Sequence, residues 1–304
     1  MPLMNSDSFS VSTPDRGRIA QSCVCCGSKE IDKSPAVLMP FIADRVFGWK
    51  PVMIDQSWNL RTIPVGHAVS LCNSLLCKSC NLLFLDIRFT EDELALLYED
   101  YRGESYVKLR SQYEPDYVER NNCLRSGITY LDDITSFLSP YLQIPVAVLD
   151  YGGDSGKNTP YREQSSVCHV YDISDVKPVS GVAKVSYEQA IRNSYDLIVC
   201  SNVLEHVPYP ASILSDISRI MTDMSVLYLE LPYERIMRES LDFADVLLKK
   251  RHWHEHINFF SLTSVQRLIS RCGFEIVDYR ELSVAKDVTL MQILCRLTPT
   301  AYAV

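Results

Sequence analysis

The sequence predicts an α/β chain: a mostly parallel sheet closed by an antiparallel C-terminal hairpin, with a small cysteine-rich module in front of it. Three observations carry this. Short apolar runs at 146–150, 166–171, 197–200 and 226–231 alternate with helical patterns, as strands covered on both faces do. Two more runs, 274–282 and 289–297, are joined by a short polar link and read as a hairpin at the sheet edge. Cysteines 23, 25, 26, 72, 77 and 80, six of the eleven, crowd the first eighty residues.

Taken in order, residues 1–20 are polar and Ser-rich and read as a disordered leader without the apolar core of a secretion signal. No run approaches the eighteen or so apolar residues a membrane span needs, so a cytoplasmic location is expected. The composition, 47% hydrophobic and 22% charged, is that of a globular protein. A net charge of −8 argues against a surface that tracks nucleic-acid phosphates.

Residues 21–88 form the expected metal module. Cys23 and Cys26 make one Cys-x-x-Cys pair, with Gly27 suiting the turn behind it, and Cys77 and Cys80 make the second. Two residues between cysteines let one tight turn aim both sulfurs at one ion, and two such turns complete a tetrahedral zinc site of structural type. Some fifty residues, including Trp49 and Trp58, separate the pairs, so this ribbon-like site must close across an insert. Cys25 or Cys72 can replace a ligand, and a cluster of free buried thiols is the plain alternative. The later cysteines are scattered, several of them in apolar runs, where a thiol is a small hydrophobe.

A helical connection is expected over 89–144. Thr90 and Glu93 fit a capping box, followed by Leu94, Leu97 and Tyr98 at helical spacing. A Tyr-rich stretch, 98–117, leads to a second helical segment over 121–138, and Pro140 and Pro145 mark its end. The α/β domain then runs from 145 to 304, with a helix over 209–221 between its strands.

At the end of its first strand stand Asp150, Gly152, Gly153, Asp154 and Gly156. Glycines there let the backbone turn sharply and approach a ligand at the carboxyl edge of the sheet, though a ligand-free tight turn explains such a cluster too. Asp172, sixteen residues on, ends the next strand, where a carboxylate can accept both hydroxyls of a ribose.

The block 195–207, Tyr-Asp-Leu-Ile-Val-Cys-Ser-Asn-Val-Leu-Glu-His-Val, resembles a motif segment of class I S-adenosylmethionine-dependent methyltransferases. The resemblance, over roughly 145–298, implies a Rossmann-like methyltransferase sheet. It makes residues 150–156 the first motif, Asp172 the ribose-binding acid and Asn202 a further cofactor contact. The Cys-x-x-Cys pairs, the run 82–85 and the tyrosines 98–106 look like the zinc-binding N-terminal region of sugar C-methyltransferases, which act on nucleotide-linked keto deoxysugars. Residues 253–257 are similar to the active-site Glu-His segment of those enzymes. Asp154 departs from the family pattern, replacing its middle glycine and adding a carboxylate near the cofactor's amino-acid end. Those enzymes also carry a further C-terminal domain, whereas these 304 residues stop soon after the sheet-closing strands, so the exact acceptor does not carry over.

Methyl transfer displaces a neutral leaving group, so catalysis is positioning plus activation of the acceptor by a base. Histidine suits that role near neutral pH. The resemblance assigns the base to His256, with Glu255 orienting substrate or imidazole, His206 second, and Tyr106 the tyrosine that reaches the site. An extended 252–256 stretch would instead put His252, His254 and His256 on one face as ligands of a catalytic metal. His67 and His169 read as structural. The expected activity is methylation of a sugar or nucleotide-linked sugar at carbon or oxygen. Alternatives are another small metabolite or a non-catalytic zinc-binding interaction protein.

Overall fold

The computed structural model of the protein describes residues 18–60, 66–240 and 242–299. Of the expected leader, residues 1–17 lie outside these. Residues 18–20 are held: Ile19 bridges Ile87, the Ala20 amide donates to the Asp86 carbonyl, and the Arg88 amide donates to the Arg18 carbonyl.

The N-terminal half contains β1 (Ile31–Leu38), α1 (Pro40–Phe47), β2 (Val52–Ile54), β3 (Gly66–Ala68), β4 (Leu71–Cys77) and β5 (Leu83–Leu85). The connection holds α2 (Glu91–Tyr98), α3 (Glu104–Tyr113), α4 (Tyr117–Arg125) and α5 (Leu131–Leu138). Thr90 and Glu93 form the expected capping box on α2. The single helix expected over 121–138 is two, separated at residues 126–130, where Gly127 takes a φ of 93° that a continuing helix forbids.

Then follow β6 (Val146–Tyr151), β7 (Ser165–Tyr171), β8 (Ala183–Lys184), α6 (Tyr187–Ile191), β9 (Leu197–Ser201), α7 (Pro210–Ile220) and β10 (Val226–Pro232). The chain ends with α8 (Arg235–Arg238), α9 (Phe243–Lys249), β11 (His252–Trp253), β12 (Asn258–Phe259), α10 (Leu262–Arg271), β13 (Phe274–Ala285) and β14 (Val288–Leu297).

The main sheet has the order β13-β14-β10-β9-β6-β7-β8; β10 through β8 are parallel, and β13 and β14 are the antiparallel hairpin. This is the α/β architecture the apolar runs predict, a Rossmann-like sheet. Leu149, Ile198 and Leu229 face α7 and α10 through Leu214, Ile217 and Leu268, while Val146, Val148 and Leu197 pack on Ile134, Phe137 and Leu138 of α5. Each such buried aliphatic side chain stabilises the fold by about 1.5–3 kcal/mol relative to exposure.

The second sheet crosses the expected boundary at residue 88. Its order is β11-β1-β4-β5-β12, so strands from 252–253 and 258–259 complete the sheet begun by the N-terminal half. Trp253 is fully buried there, its Nε1 donating to Ser74 Oγ at 2.9 Å, and Ser74 Oγ donating to the Lys250 carbonyl at 2.6 Å. Arg88 closes the seam. Its buried guanidinium donates to Asn258 Oδ1 (3.0 Å), to the Pro208 carbonyl (3.1 Å) and to the carbonyls of Leu85 and Ile87. Asn258 Nδ2 donates in turn to the Leu204 and Val207 carbonyls.

Removing that side chain strands buried acceptors from three segments. Arg88→Met should cost about 3–5 kcal/mol in denaturant unfolding. Arg88→Lys, which keeps the charge but not the planar fork, should also destabilise. A loss under about 1 kcal/mol for Arg88→Met, the scale of an ordinary surface change, would contradict this role.

Candidate active site

The turn after β6 explains its glycines. Gly152 has a φ of 82°, and a Cβ there would sit 2.5 Å from Val203 Cγ2; at Gly153 it would meet Asp150 Cγ at 2.4 Å, and at Gly156 Val182 Cγ1 at 2.8 Å. Asp150 is buried and accepts from Thr159 Oγ1 at 2.6 Å. Burial pushes its carboxyl up to about 7, helped by the nearby charges of Asp172 and Asp154 and opposed by the Thr159 hydroxyl. Asp150 thus supports the turn from inside, while Gly152, Asp154 and Asp172 line a cleft of about 1380 Å³.

Backbone amides fix the Asp172 carboxylate: Asp154 N donates to Oδ2 at 2.9 Å and Ser174 N to Oδ1 at 2.7 Å. The opposite wall comes from α2 and the turn after it, with Tyr98, Tyr101 and Arg102. Asp100 and Arg102 both take left-handed backbone angles (φ 48° and 60°), held by Asp100 Oδ2 accepting from Ser105 N and Oγ. Non-glycine residues in that region carry strain, and such strain gathers at ligand-clamping turns. Arg102 lies 4.7 Å over the Tyr101 ring. Among the described residues, three in the cleft hold buried polar atoms without a hydrogen-bond partner: Arg102 Nε, Asp154 Oδ1 and Ser174 Oγ. Arg102 and Ser174 gave no signal in the sequence, one being a lone cation in a Tyr-rich run and the other a serine in a loop.

Asn202 turns away from this cleft. Its Nδ2 donates to Ser201 Oγ (2.9 Å) and Glu230 Oε1 (3.1 Å). Glu230 is fully buried and also accepts from Tyr130, Ser201 and Tyr228 hydroxyls and Gln292 Nε2.

Tyr98 joins the cleft to a histidine pair. Its hydroxyl lies 3.0 Å from His206 Nδ1, which is also 3.1 Å from the Glu255 carbonyl. The His206 and His256 rings meet edge to face with centroids 4.6 Å apart. His256 Nδ1 lies 3.0 Å from Glu234 Oε1, so Glu234, not Glu255, orients that imidazole. The Glu255 carboxylate instead makes a two-pronged ion pair with Arg110 (2.9 and 3.1 Å); burial opposes its charge, but Arg110 outweighs it and holds Glu255 pushed down to about 2. Tyr106 is fully buried, its hydroxyl accepting from Arg110 and its ring packed on Phe41, Tyr101 and Tyr117. Among the tyrosines it is Tyr98 that faces both cleft and histidine.

The three-histidine face does not form. The extended stretch ends at Trp253, so His252 is exposed and pairs with His254 at 5.7 Å, while His254 approaches Glu114 and His256 turns to His206. His169 Nδ1 lies 2.8 Å from the Tyr195 hydroxyl and His67 sits on β3, and neither lines the cleft.

The two Cys-x-x-Cys turns do converge. The sulfurs of Cys23, Cys26, Cys77 and Cys80 all lie within 4.8 Å of one another, with Cys23–Cys80 and Cys26–Cys77 at 3.5 Å. Cys25 and Cys72 lie outside the group: Cys25 is buried behind Cys23, and Cys72 packs with Leu38 and Leu76 in the other core. No helix among the described residues is long and apolar enough to cross a membrane.

A family model described as a methyltransferase domain matches residues 124–279. No curated protein matches the chain by sequence. Among solved structures, the 1,6-didemethyltoxoflavin N1-methyltransferase of Burkholderia thailandensis, with 1,6-didemethyltoxoflavin and S-adenosylhomocysteine bound, is 15% identical (TM-score 0.47) over 74% of this chain and 96% of its own. A magnesium protoporphyrin IX methyltransferase from Synechocystis, with S-adenosylhomocysteine bound, is 13% identical (TM-score 0.39) over 55% of this chain and 82% of its own. An S-adenosylmethionine-dependent methyltransferase of Methanosarcina mazei is 18% identical (TM-score 0.38) over 53% and 97%. At these identities no acceptor transfers from one protein to another.

The histidine pair should titrate unequally. Burial, reinforced by His256, pushes His206 down to about 3. Burial also opposes a proton on His256, but the hydrogen bond to Glu234 and the charges of Glu205, Glu234 and Glu255 outweigh it and raise the group above its ordinary value. Nitrogen-detected NMR should therefore show His206 neutral from pH 5 to 8, about the window around an ordinary histidine, and His256 titrating above ~6.5. Since the unfolded chain protonates His206 below ~6.5, its contribution to stability is present above that pH and is lost as pH falls toward 3. A His206 midpoint near ~6.5 would refute the burial argument.

Proposed function

The chain belongs to the methyltransferase family matched over residues 124–279 and is an enzyme that uses S-adenosylmethionine; on that premise we propose that it methylates a small, sugar-type acceptor at carbon or oxygen, with His256 as the base. The observation that carries the reading is the double role of Tyr98, which lines the cleft and touches the histidine pair, so that cofactor and acceptor chemistry share one wall.

The cleft residues fit the cofactor's polar groups. Asp172, fixed from behind by two amides, has lone pairs left for a ribose diol. The unpartnered Asp154 oxygen suits an ammonium, and Arg102 suits a carboxylate. Bound there, S-adenosylmethionine supplies an electrophilic methyl group on sulfur. His256 keeps Nε2 for the acceptor's proton, because Nδ1 is engaged by Glu234, and the same carboxylate stabilises the imidazolium that results. Along the rim Glu91, Asp92, Glu99 and Asp100 offer acceptors to sugar hydroxyls and repel a diphosphate, which favours a free or glycosidic sugar over a nucleotide-linked one.

We also propose that Cys23, Cys26, Cys77 and Cys80 hold a structural zinc. Four sulfurs at 2.3 Å from one ion sit about 3.8 Å apart, close to the 3.5 Å of the two pairs. As thiolates they would repel one another without a cation between them. Elemental analysis should find at least one zinc per chain, and Cys77→Ser should lose one equivalent and unfold the sheet that contains β4; metal-free, fully stable wild type would contradict the assignment.

The enzymatic reading is tested with S-adenosylhomocysteine calorimetry and turnover on a panel of sugars. Asp172→Ala should weaken binding at least tenfold, whereas His256→Asn should bind normally and lose roughly 10²–10⁴ in kcat. Because His256 must be unprotonated to act, the acid limb of the wild-type rate profile should lie above ~6.5, the ordinary histidine value. Full turnover by His256→Asn would remove it from the chemistry.

A further inference from the structure

We infer that Glu205, His206 and His256 form a second metal site, for a divalent transition metal, distinct from the four-cysteine cluster. A carboxylate oxygen of Glu205 and one nitrogen of each histidine lie within 4.8 Å of one another. Glu205 is 1% exposed, and neither of its carboxylate oxygens has a hydrogen-bond partner among the described residues. Its near polar neighbour, His206 Nε2, is 3.7 Å away, beyond hydrogen-bonding reach. A buried carboxylate with no donor is costly and rare, and it asks for a ligand that satisfies the oxygens.

The histidines are oriented to supply that ligand's other bonds. His256 Nδ1 is engaged by Glu234 at 3.0 Å, and His206 Nδ1 by the Glu255 carbonyl at 3.1 Å, with the Tyr98 hydroxyl beside it at 3.0 Å. Both Nε2 atoms are left as lone-pair donors. A carboxylate or carbonyl behind each imidazole is the arrangement that orients metal-binding histidines. Chain geometry fixes the carboxylate as well, since the Glu205 carbonyl accepts from both Ile257 N (2.7 Å) and Asn258 N (3.0 Å), pinning the 205 segment to the 256 segment. Two imidazoles with one carboxylate suit zinc, manganese, iron, cobalt or nickel better than calcium or magnesium. Bonds of ~2.0–2.2 Å would place the three donors roughly 3–3.5 Å apart, a closure that side-chain rotation supplies.

The site stands on geometry alone, but its consequence rests on the assignment of His256 as base. An imidazole whose free nitrogen holds a metal accepts no proton, so the metal-bound protein should lose the turnover that depends on His256.

The test adds cobalt(II) to the full-length protein with zinc already in the four-cysteine site. Visible absorption should report one further ion per chain by d–d bands, without the sulfur-to-cobalt charge-transfer band that cysteine ligation gives. Glu205→Gln and His206→Asn should each weaken cobalt binding by roughly 10- to 100-fold. Both should keep their S-adenosylhomocysteine affinity, which reports an intact fold. No cobalt binding by wild type, or undiminished binding by both variants, overturns the site. Turnover separates the two claims. If cobalt binds and activity falls with the same midpoint, site and base both stand. If cobalt binds and activity rises, the site stands and the base assignment fails. If cobalt does not bind while His256→Asn is inactive, the base stands and the site fails.

Discussion

A single buried guanidinium holds the two halves of this protein in register. Among the described residues Arg88 has no carboxylate partner; it is satisfied by the carbonyls of Leu85, Ile87 and Pro208 and by the side-chain oxygen of Asn258. Burial lowers its affinity for a proton, to about 10, yet it stays charged at neutral pH. Asn258 passes the constraint on by holding the Leu204 and Val207 carbonyls. The stretch bearing Glu205 and His206 and the stretch bearing Glu255 and His256 are therefore fastened to one strut. The base proposed at His256 needs that rigidity, because misplacement of a catalytic group by as little as about an ångström costs rate.

The interleaved second sheet extends the same logic. Trp253 enters the N-terminal half beside β1 and bonds Ser74, which delivers residues 254–257 to the histidine pair. In the other direction the helical connection sends Tyr98, Tyr101 and Arg102 over the carboxyl edge of the main sheet. Neither half holds the whole cleft: the α/β half supplies the glycine turn and Asp172, with both histidines beside it, and the helical connection from the N-terminal half supplies the opposite wall. The four cysteines share a hydrophobic core with Leu149, Ile198 and Leu229, so a metal there would steady the same interface.

What the sequence made legible was periodic or punctuated. Unbroken apolar runs marked the parallel strands β6, β7, β9 and β10 within a residue or two, though not the two-residue β8. Thr90 and Glu93 marked the start of α2, and paired Cys-x-x-Cys spacing marked four converging sulfurs. What it hid depended on partners far along the chain. Strand β1 carries Pro35 and mixed polarity, and is a strand because β4 pairs with it. Arg88 reads as a surface residue until Pro208 and Asn258 fold around it. Tyr106 matches the family tyrosine by its place in a motif, yet it lies buried inside an aromatic cluster, while Tyr98 lines the cleft. The three alternating histidines failed as a common face because the strand that would align them ends at Trp253. Glu234, from the end of a different strand, took the orienting role expected of Glu255.

The central claim is that one cleft, walled by both halves, seats the cofactor with its amino-acid end toward Arg102 and Asp154. A structure of the protein with S-adenosylhomocysteine bound tests this most directly. The account predicts the ligand carboxylate at Arg102, its ammonium at Asp154 Oδ1 and its ribose hydroxyls at Asp172. A ligand seated on the glycine turn with its amino-acid end away from Arg102, and that side chain turned out to solvent, would contradict it.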